Sequence, residues 1–238
     1  MSHQILNPAD HQAVRVRTEA SAELGDGVMA CLTVPDEFRQ VQGHFPILFR
    51  RDMESGTFSA LALFGFSQGE NLFLKDGKWD ARYRPLALAI QPFLYGRSSE
   101  AGADGQVHID MDHPRVSSGD EGVLLFDEAG RPTPYVEQVA EQLGALHGAF
   151  EASAGFFEAL ARLDLLEPFT LEVPLSDGSR HSLVGFHIID ENRLAALDGG
   201  TLAELNGAGH LEAIFMAIAS LTRFDELVER KDASVRHG

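Results

Sequence analysis

Residues Gly65-Phe66-Ser67-Gln68-Gly69 spell G-x-S-x-G. In a nucleophile elbow, this pattern places a serine on a sharp strand-to-helix turn and aims backbone N–H groups at an oxyanion. The run Ala60–Phe64 is strand-like, as the motif requires, but ENLFLKDG follows the serine and reads as a strand and a hairpin turn. The spacing therefore predicts a turn between strands at Ser67 rather than a catalytic elbow. His108-Ile109-Asp110 is a second candidate. Alternate residues of a strand share one face. His108 and Asp110, joined by His187 or His181, would form the two-histidine, one-carboxylate face of a ferrous-iron (Fe2+) oxygenase. Asp112 and His113 follow at once. The competing reading is a strand end whose solvated polar residues enter the Pro114 loop.

Trp79, Tyr83 and Tyr95 occur among Glu70, Asp76, Asp80 and Arg84. Aromatic faces beside carboxylates suit a carbohydrate or a cationic peptide; the same rings packed inside a sheet would be core. Glu70-Asn71 is the most distinctive pair, because both are weak strand formers inside the otherwise apolar stretch from Phe64 to Leu74. Such local inconsistency marks a buried hydrogen-bond network or a binding site. Arg82, Arg84 and Arg131 would pair with these acids, bracing a sheet or holding an anion. Asp190-Glu191 reads as a helix cap rather than an acid–base pair. Cys31, in the strand-like run Val28–Val34, reads as a small buried apolar side chain.

The elements that must position these residues change character along the chain. Residues 1–27 read as a polar arm with one edge strand at Ala13–Arg17. Strands are expected at Val28–Val34, Phe45–Phe49, Phe58–Phe66, Leu86–Tyr95, Val107–Met111 and Val123–Phe126, with one helical turn at Asp36–Val41. Lys75-Asp76-Gly77-Lys78 is a hairpin turn, since Asp-Gly tolerates positive φ, and Gly96–Gly105 is a polar loop. Thr133 caps and Pro134 starts a helix whose apolar face carries Val136, Val139, Leu143, Leu146 and Phe150. Ser153-Ala154-Gly155 should interrupt it before a second piece, Phe156–Leu166. A hairpin at Thr170–Leu175 and Ser182–Ile189 follows, then helices at Glu191–Leu197, Leu202–Gly207 and Leu211–Val228. The tail from Lys231 is expected to fray. Strands first and helices later predict a single compact α+β domain, 28–230, between an arm (1–27) and a tail (231–238).

Composition narrows the function classes. The chain has 36 acidic and 19 basic residues among 238, a net charge of −17. Such a charge repels nucleic-acid backbones and anionic lipid surfaces. No apolar run reaches the roughly 18 residues of a spanning helix, which argues against a permease. The opening MSHQILNPADHQAVRVR lacks a basic segment followed by an apolar one, so no export signal is expected. A single cysteine fits a reducing compartment, and a cytoplasmic location is the expectation.

Between Phe64 and Phe93, the residues Gly65, Glu70, Asn71, Leu72, Phe73, Asp76, Gly77, Trp79, Tyr83, Pro85, Pro92 and Phe93 resemble the signature of the SapC family, bacterial proteins named from a surface-layer (S-layer) locus. The likeness continues through Ile109-Asp110, Leu125-Phe126-Asp127, Gly130-Arg131-Pro132, Asp177-Gly178, Gly185-Phe186, Asp190-Glu191, Leu194 and Ser220-Leu221, from about His44 to Arg230. Ser67 and His108 fall outside this pattern. The resemblance implies a link to cell-envelope systems, surface layer or nutrient uptake, and implies no particular reaction. The reading is a non-catalytic binding or interaction protein without a cofactor, with Glu70, Asn71, Trp79, Tyr83, Asp110 and Arg131 as binding residues. Its partner would be a protein or a small molecule, and an apolar terminal helix would allow a homodimer. The alternative is the iron oxygenase on His108, Asp110 and His187.

Overall fold

The computed structural model describes residues 2–75, 77–96 and 105–237. Its first elements are β1 (His3–Ile5), α1 (Pro8–His11), β2 (Arg15–Val16), β3 (Ala30–Thr33), α2 (Phe38–Val41), β4 (Ile47–Arg51) and β5 (Phe58–Leu63). There follow β6 (Leu74–Lys75), β7 (Lys78–Trp79), α3 (Leu86–Ala89), β8 (Phe93–Gly96), β9 (Gln106–Asp110), β10 (Val116–Ser117) and β11 (Val123–Leu124). The rest is α4 (Pro134–Arg162), β12 (Leu166–Pro174), β13 (Arg180–Ile189), α5 (Glu191–Ala195), α6 (Gly199–Gly207), α7 (His210–Ser220) and α8 (Arg223–His237). The strand pairings of the described residues are antiparallel. This is the α+β class that the order of elements predicts, and its contacts gather into two compact units.

The first unit comprises 1–27, 74–79 and 86–148. Its sheets run β1-β9-β8 and β10-β2-β11, beside the hairpin β6-β7. The N-terminal segment thus supplies an edge strand to one sheet and the central strand to another. Val16, Phe93, Ile109, Leu125, Val136, Val139, Leu143 and Leu146 are buried. The Arg115 guanidinium is buried as well, donating to the Arg17 and Glu19 carbonyls at 2.8 and 2.9 Å and to the Asp26 carboxylate at 2.5 Å. These bonds satisfy a charge that would otherwise be costly to bury.

The second unit comprises 28–73, 80–85 and 149–238. Its five-stranded sheet has the order β12-β13-β4-β5-β3, and α7 packs on β4 and β13. Phenylalanines fill the core: the rings of Phe45 and Phe73 lie 4.7 Å apart, those of Phe45 and Phe64 5.0 Å, and those of Phe38 and Phe156 6.0 Å, all edge to face. At the start of β4, the Ile47 N–H donates to the buried Ser220 hydroxyl, which donates to the Ala217 carbonyl. The Ser220-Leu221 pair therefore marks where a helix end satisfies a strand.

Several elements differ from expectation. Leu86–Tyr95 is not one strand: a helical turn, α3, precedes the cis bond Gln91–Pro92, and only β8 is extended. A continuous apolar run does not distinguish a buried strand from a buried helical turn. Helix α4 is unbroken at 153–155, because the Ser153 hydroxyl turns back to the Phe150 carbonyl and leaves the helical ladder intact. Phe150 is 37% exposed and leaves the apolar face that Val136 to Leu146 share. Leu211–Val228 divides into α7 and α8 at Leu221-Thr222, and α8 runs through 231–237. Residue Asp76 and most of the Gly96–Gly105 loop lie outside the described residues.

Candidate functional site

The candidate site is built on the turn that follows β5. Glu70 N donates to the Ser67 carbonyl at 3.1 Å, and Gly69 has φ +79°. Glycine at the third position of such a reverse turn is what the turn's geometry demands. Ser67 therefore sits in a strand-to-strand turn, as its sequence context predicts, and no helix follows it. Its hydroxyl lies 3.3 Å from His181 Nδ1. At the turn before that histidine, the Ser179 hydroxyl and N–H engage Asp177 Oδ1 and hold its carboxyl below the usual carboxylate range.

Both oxygens of Glu70 are engaged. Oε2 accepts the Phe66 N–H at 2.8 Å, and Oε1 meets the Lys231 ammonium at 2.5 Å. The pair is largely buried, with side chains 18% and 12% exposed. A Cβ on Gly65 would lie 2.8 Å from the Glu70 carbonyl oxygen and 2.9 Å from its Cγ, so only glycine leaves Glu70 its place. Asn71 Oδ1 accepts the Phe73 N–H at 3.0 Å and turns the chain so that Phe73 enters the core. Arg230, one residue before Lys231, lies with its guanidinium 4.4 Å from the centre of the Phe73 ring. It donates to Asp80 Oδ2 at 2.7 Å, to the Asp80 carbonyl at 3.3 Å and to the Leu72 carbonyl at 3.5 Å. Asp80 N in turn donates to the Phe73 carbonyl at 2.8 Å, which fixes the carboxylate beside the ring.

A second polar cluster lies in the same unit. Tyr83 donates to Glu37 Oε1 at 2.5 Å, and the Thr33 hydroxyl to Glu37 Oε2 at 3.2 Å. Glu37 is 5% exposed, so these donors offset the cost of burying its carboxylate. Burial and the bond to Glu37 push the Tyr83 phenol up. Burial, followed by the Glu37 charge, also pushes the Cys31 thiol up. Cys31 is half-buried in β3 rather than fully buried as its sequence setting predicts.

The remaining sequence candidates hold turns and strand ends. Asp110 accepts the Ser2 and Asp112 N–H groups at 3.3 and 3.2 Å. Arg131 is exposed and pairs with Asp127, whose carboxylate also accepts the Ala129 and Arg131 N–H groups. Trp79 is half-buried in the β6-β7 hairpin, where it pairs with Leu74. Tyr95 stacks on His147 at 3.7 Å. Asp190 caps α5 by accepting the Arg193 N–H at 2.9 Å. Arg82 is exposed and Arg84 half-buried.

His108 belongs to the first unit, on β9, and His187 to the second, on β13 against the Phe58 ring. Burial and Arg51 lower the pKa of His187. Among the described residues, no three His, Cys, Asp or Glu side chains gather into a group that could hold a metal ion. The sequence reading missed Glu37, and it did not foresee that Arg230 and Lys231 meet the signature. The legible signal was a basic pair in a strongly acidic chain, with Glu226 one helical turn before Arg230.

Among the described residues, no helix is long and apolar enough to cross a membrane. Comparison with curated proteins and with solved structures finds no match. The family model described as SapC matches residues 6–227, which takes in the turn, Glu70, Phe73, Asp80 and Tyr83. The chain belongs to the SapC family.

Proposed function

We propose that this protein works by binding rather than by catalysis, as an interaction protein whose working surface is the signature turn from Gly65 to Phe73, with Asp80. The observation that supports this most is the use made of Glu70. The turn holds a carboxylate against a backbone N–H and a cation, beside an aromatic ring that carries a second cation. That is the chemistry of recognition: charge, a π face and fixed backbone groups. Family membership supports an envelope-related protein partner, in surface-layer or nutrient-uptake systems. No cofactor is part of this reading.

One contact favours a second reading, serine-dependent hydrolysis: the Ser67 hydroxyl near His181. Its support is thinner, because Nδ1 rather than Nε2 faces the serine, Asp177 is engaged by Ser179, and the turn does not lead into a helix. The two readings separate in one assay. Wild type and Ser67→Ala are treated with a fluorophosphonate and assayed for turnover of short esters. Binding without catalysis gives neither labelling nor turnover that depends on Ser67. Labelling or turnover lost in Ser67→Ala would overturn it.

A further inference from the structure

We infer that Glu70, Phe73 and Asp80 form a cradle for paired cationic side chains, in which the chain's own Arg230 and Lys231 act as a tethered occupant. The inference rests on the binding reading and names its ligand class: a basic protein segment presenting adjacent arginine and lysine side chains.

The walls are specific in their chemistry. One carboxylate oxygen of Glu70 is held by the Phe66 N–H, which leaves the other for an ammonium. The Phe73 ring forms a plate 4.4 Å under the guanidinium, while Asp80 and the Leu72 and Asp80 carbonyls take its N–H groups from the side. A guanidinium's flat fork fits that arrangement and a second ammonium does not. The walls belong to the family-matched segment.

The helix that carries the occupant is held by charge and by packing together. Helix α8 reads RFDELVERKDASVRH, and Leu227 is its fully buried apolar residue. Beyond the cradle, its ties are mixed: the Phe224 ring lies 5.6 Å from that of Phe169, Asp232 accepts the Ser176 N–H at 3.0 Å, and Glu226 braces Arg230 from within the helix. A tether gives its ligand an effective concentration on the order of millimolar. A free basic segment then competes only when the tethered cations are displaced or removed.

The test uses the full chain and a defined probe, acetyl-Glu-Arg-Lys-Asp-amide, titrated by calorimetry at low salt. Wild type should show no saturation. Arg230→Gln/Lys231→Gln, which keeps long side chains without charge, should bind the probe saturably. Binding should be lost at least tenfold when Glu70→Gln is added, and also when alanines replace both basic residues of the probe. A folded double variant that binds nothing, or binding that survives Glu70→Gln, overturns the cradle. Should the double variant fail to fold, Lys231→Ala alone decides. Propylammonium should raise its melting temperature and leave wild type unmoved, and equal effects on both would sink the proposal. A partner found at the signature turn, with no peptide binding, would keep the binding reading and reject the cradle.

Discussion

At the scale of single residues, the signature reads as a set of close fits rather than a set of reagents. Gly65 is glycine because Glu70 folds back to where a Cβ would stand. Gly65→Ala should therefore force apart the turn that holds Glu70, at a cost of about 1–3 kcal/mol in urea unfolding. Gly69→Ala is the informative comparison, since nothing lies within 4 Å of its Cβ position and only its positive φ opposes the change. Equal stability of Gly65→Ala and wild type would contradict the packing described. The sequence marked Glu70 and Asn71 as misplaced in an apolar run, and their bonds to Phe66, Lys231 and Phe73 explain why. It did not show the partner from α8, because a contact across 161 positions leaves no local pattern.

At the scale of elements, hairpins and caps were legible and continuity was not. Asp177-Gly178 and Asp190 sit where their turn and capping chemistry predicts, with Gly178 at φ +85°. Gly185 was harder to read. It lies within β13 at φ +83°, where the register with β12 shifts between Phe169 and Leu171, and it supplies the positive φ of a bulge. Helices failed the sequence reading in both directions: α4 runs through Ser153 and Gly155, and the last helix divides at Leu221-Thr222. In each case, serine or threonine hydroxyls bond back to carbonyls, a choice that tertiary packing makes and composition does not. The ion pairs of α8 carry a prediction of their own. Raising sodium chloride from 20 mM to 500 mM should speed amide exchange in 223–237 several-fold while β13 and β4 stay protected, as screening weakens exposed pairs more than buried packing. Exchange in α8 that ignores salt, or that changes only together with the sheet, would contradict an ionic attachment.

At the scale of the molecule, the acidic surface and the half-buried histidines set the response to pH. Burial lowers the pKa of His44, His113 and His187, and Arg115 adds to the effect at His113, which faces Gln91 and packs on Gly25. A histidine whose folded pKa lies below its unfolded value of about 6.5 binds its proton more readily unfolded. Its contribution is complete above that value and falls away as pH drops toward the folded pKa. The urea midpoint should thus fall between pH 7 and pH 5, and His113→Gln should make that fall shallower. An unchanged slope would show that His113 carries none of it. The α+β class followed from the order of strands and helices. The gathering of contacts into two units was not legible, because segments 74–79 and 80–85 are adjacent in sequence and belong to different units.

The central claim, that the signature turn is a surface that binds a partner, is tested most directly by photo-crosslinking in the cells that make the protein. A photoreactive amino acid replaces exposed Arg82, beside the turn, or exposed Glu167, on β12. The account predicts a discrete adduct with one envelope-related protein from position 82, absent from position 167 and reduced when Glu70→Gln is added. No adduct from position 82, or the same adducts from both positions, would contradict it.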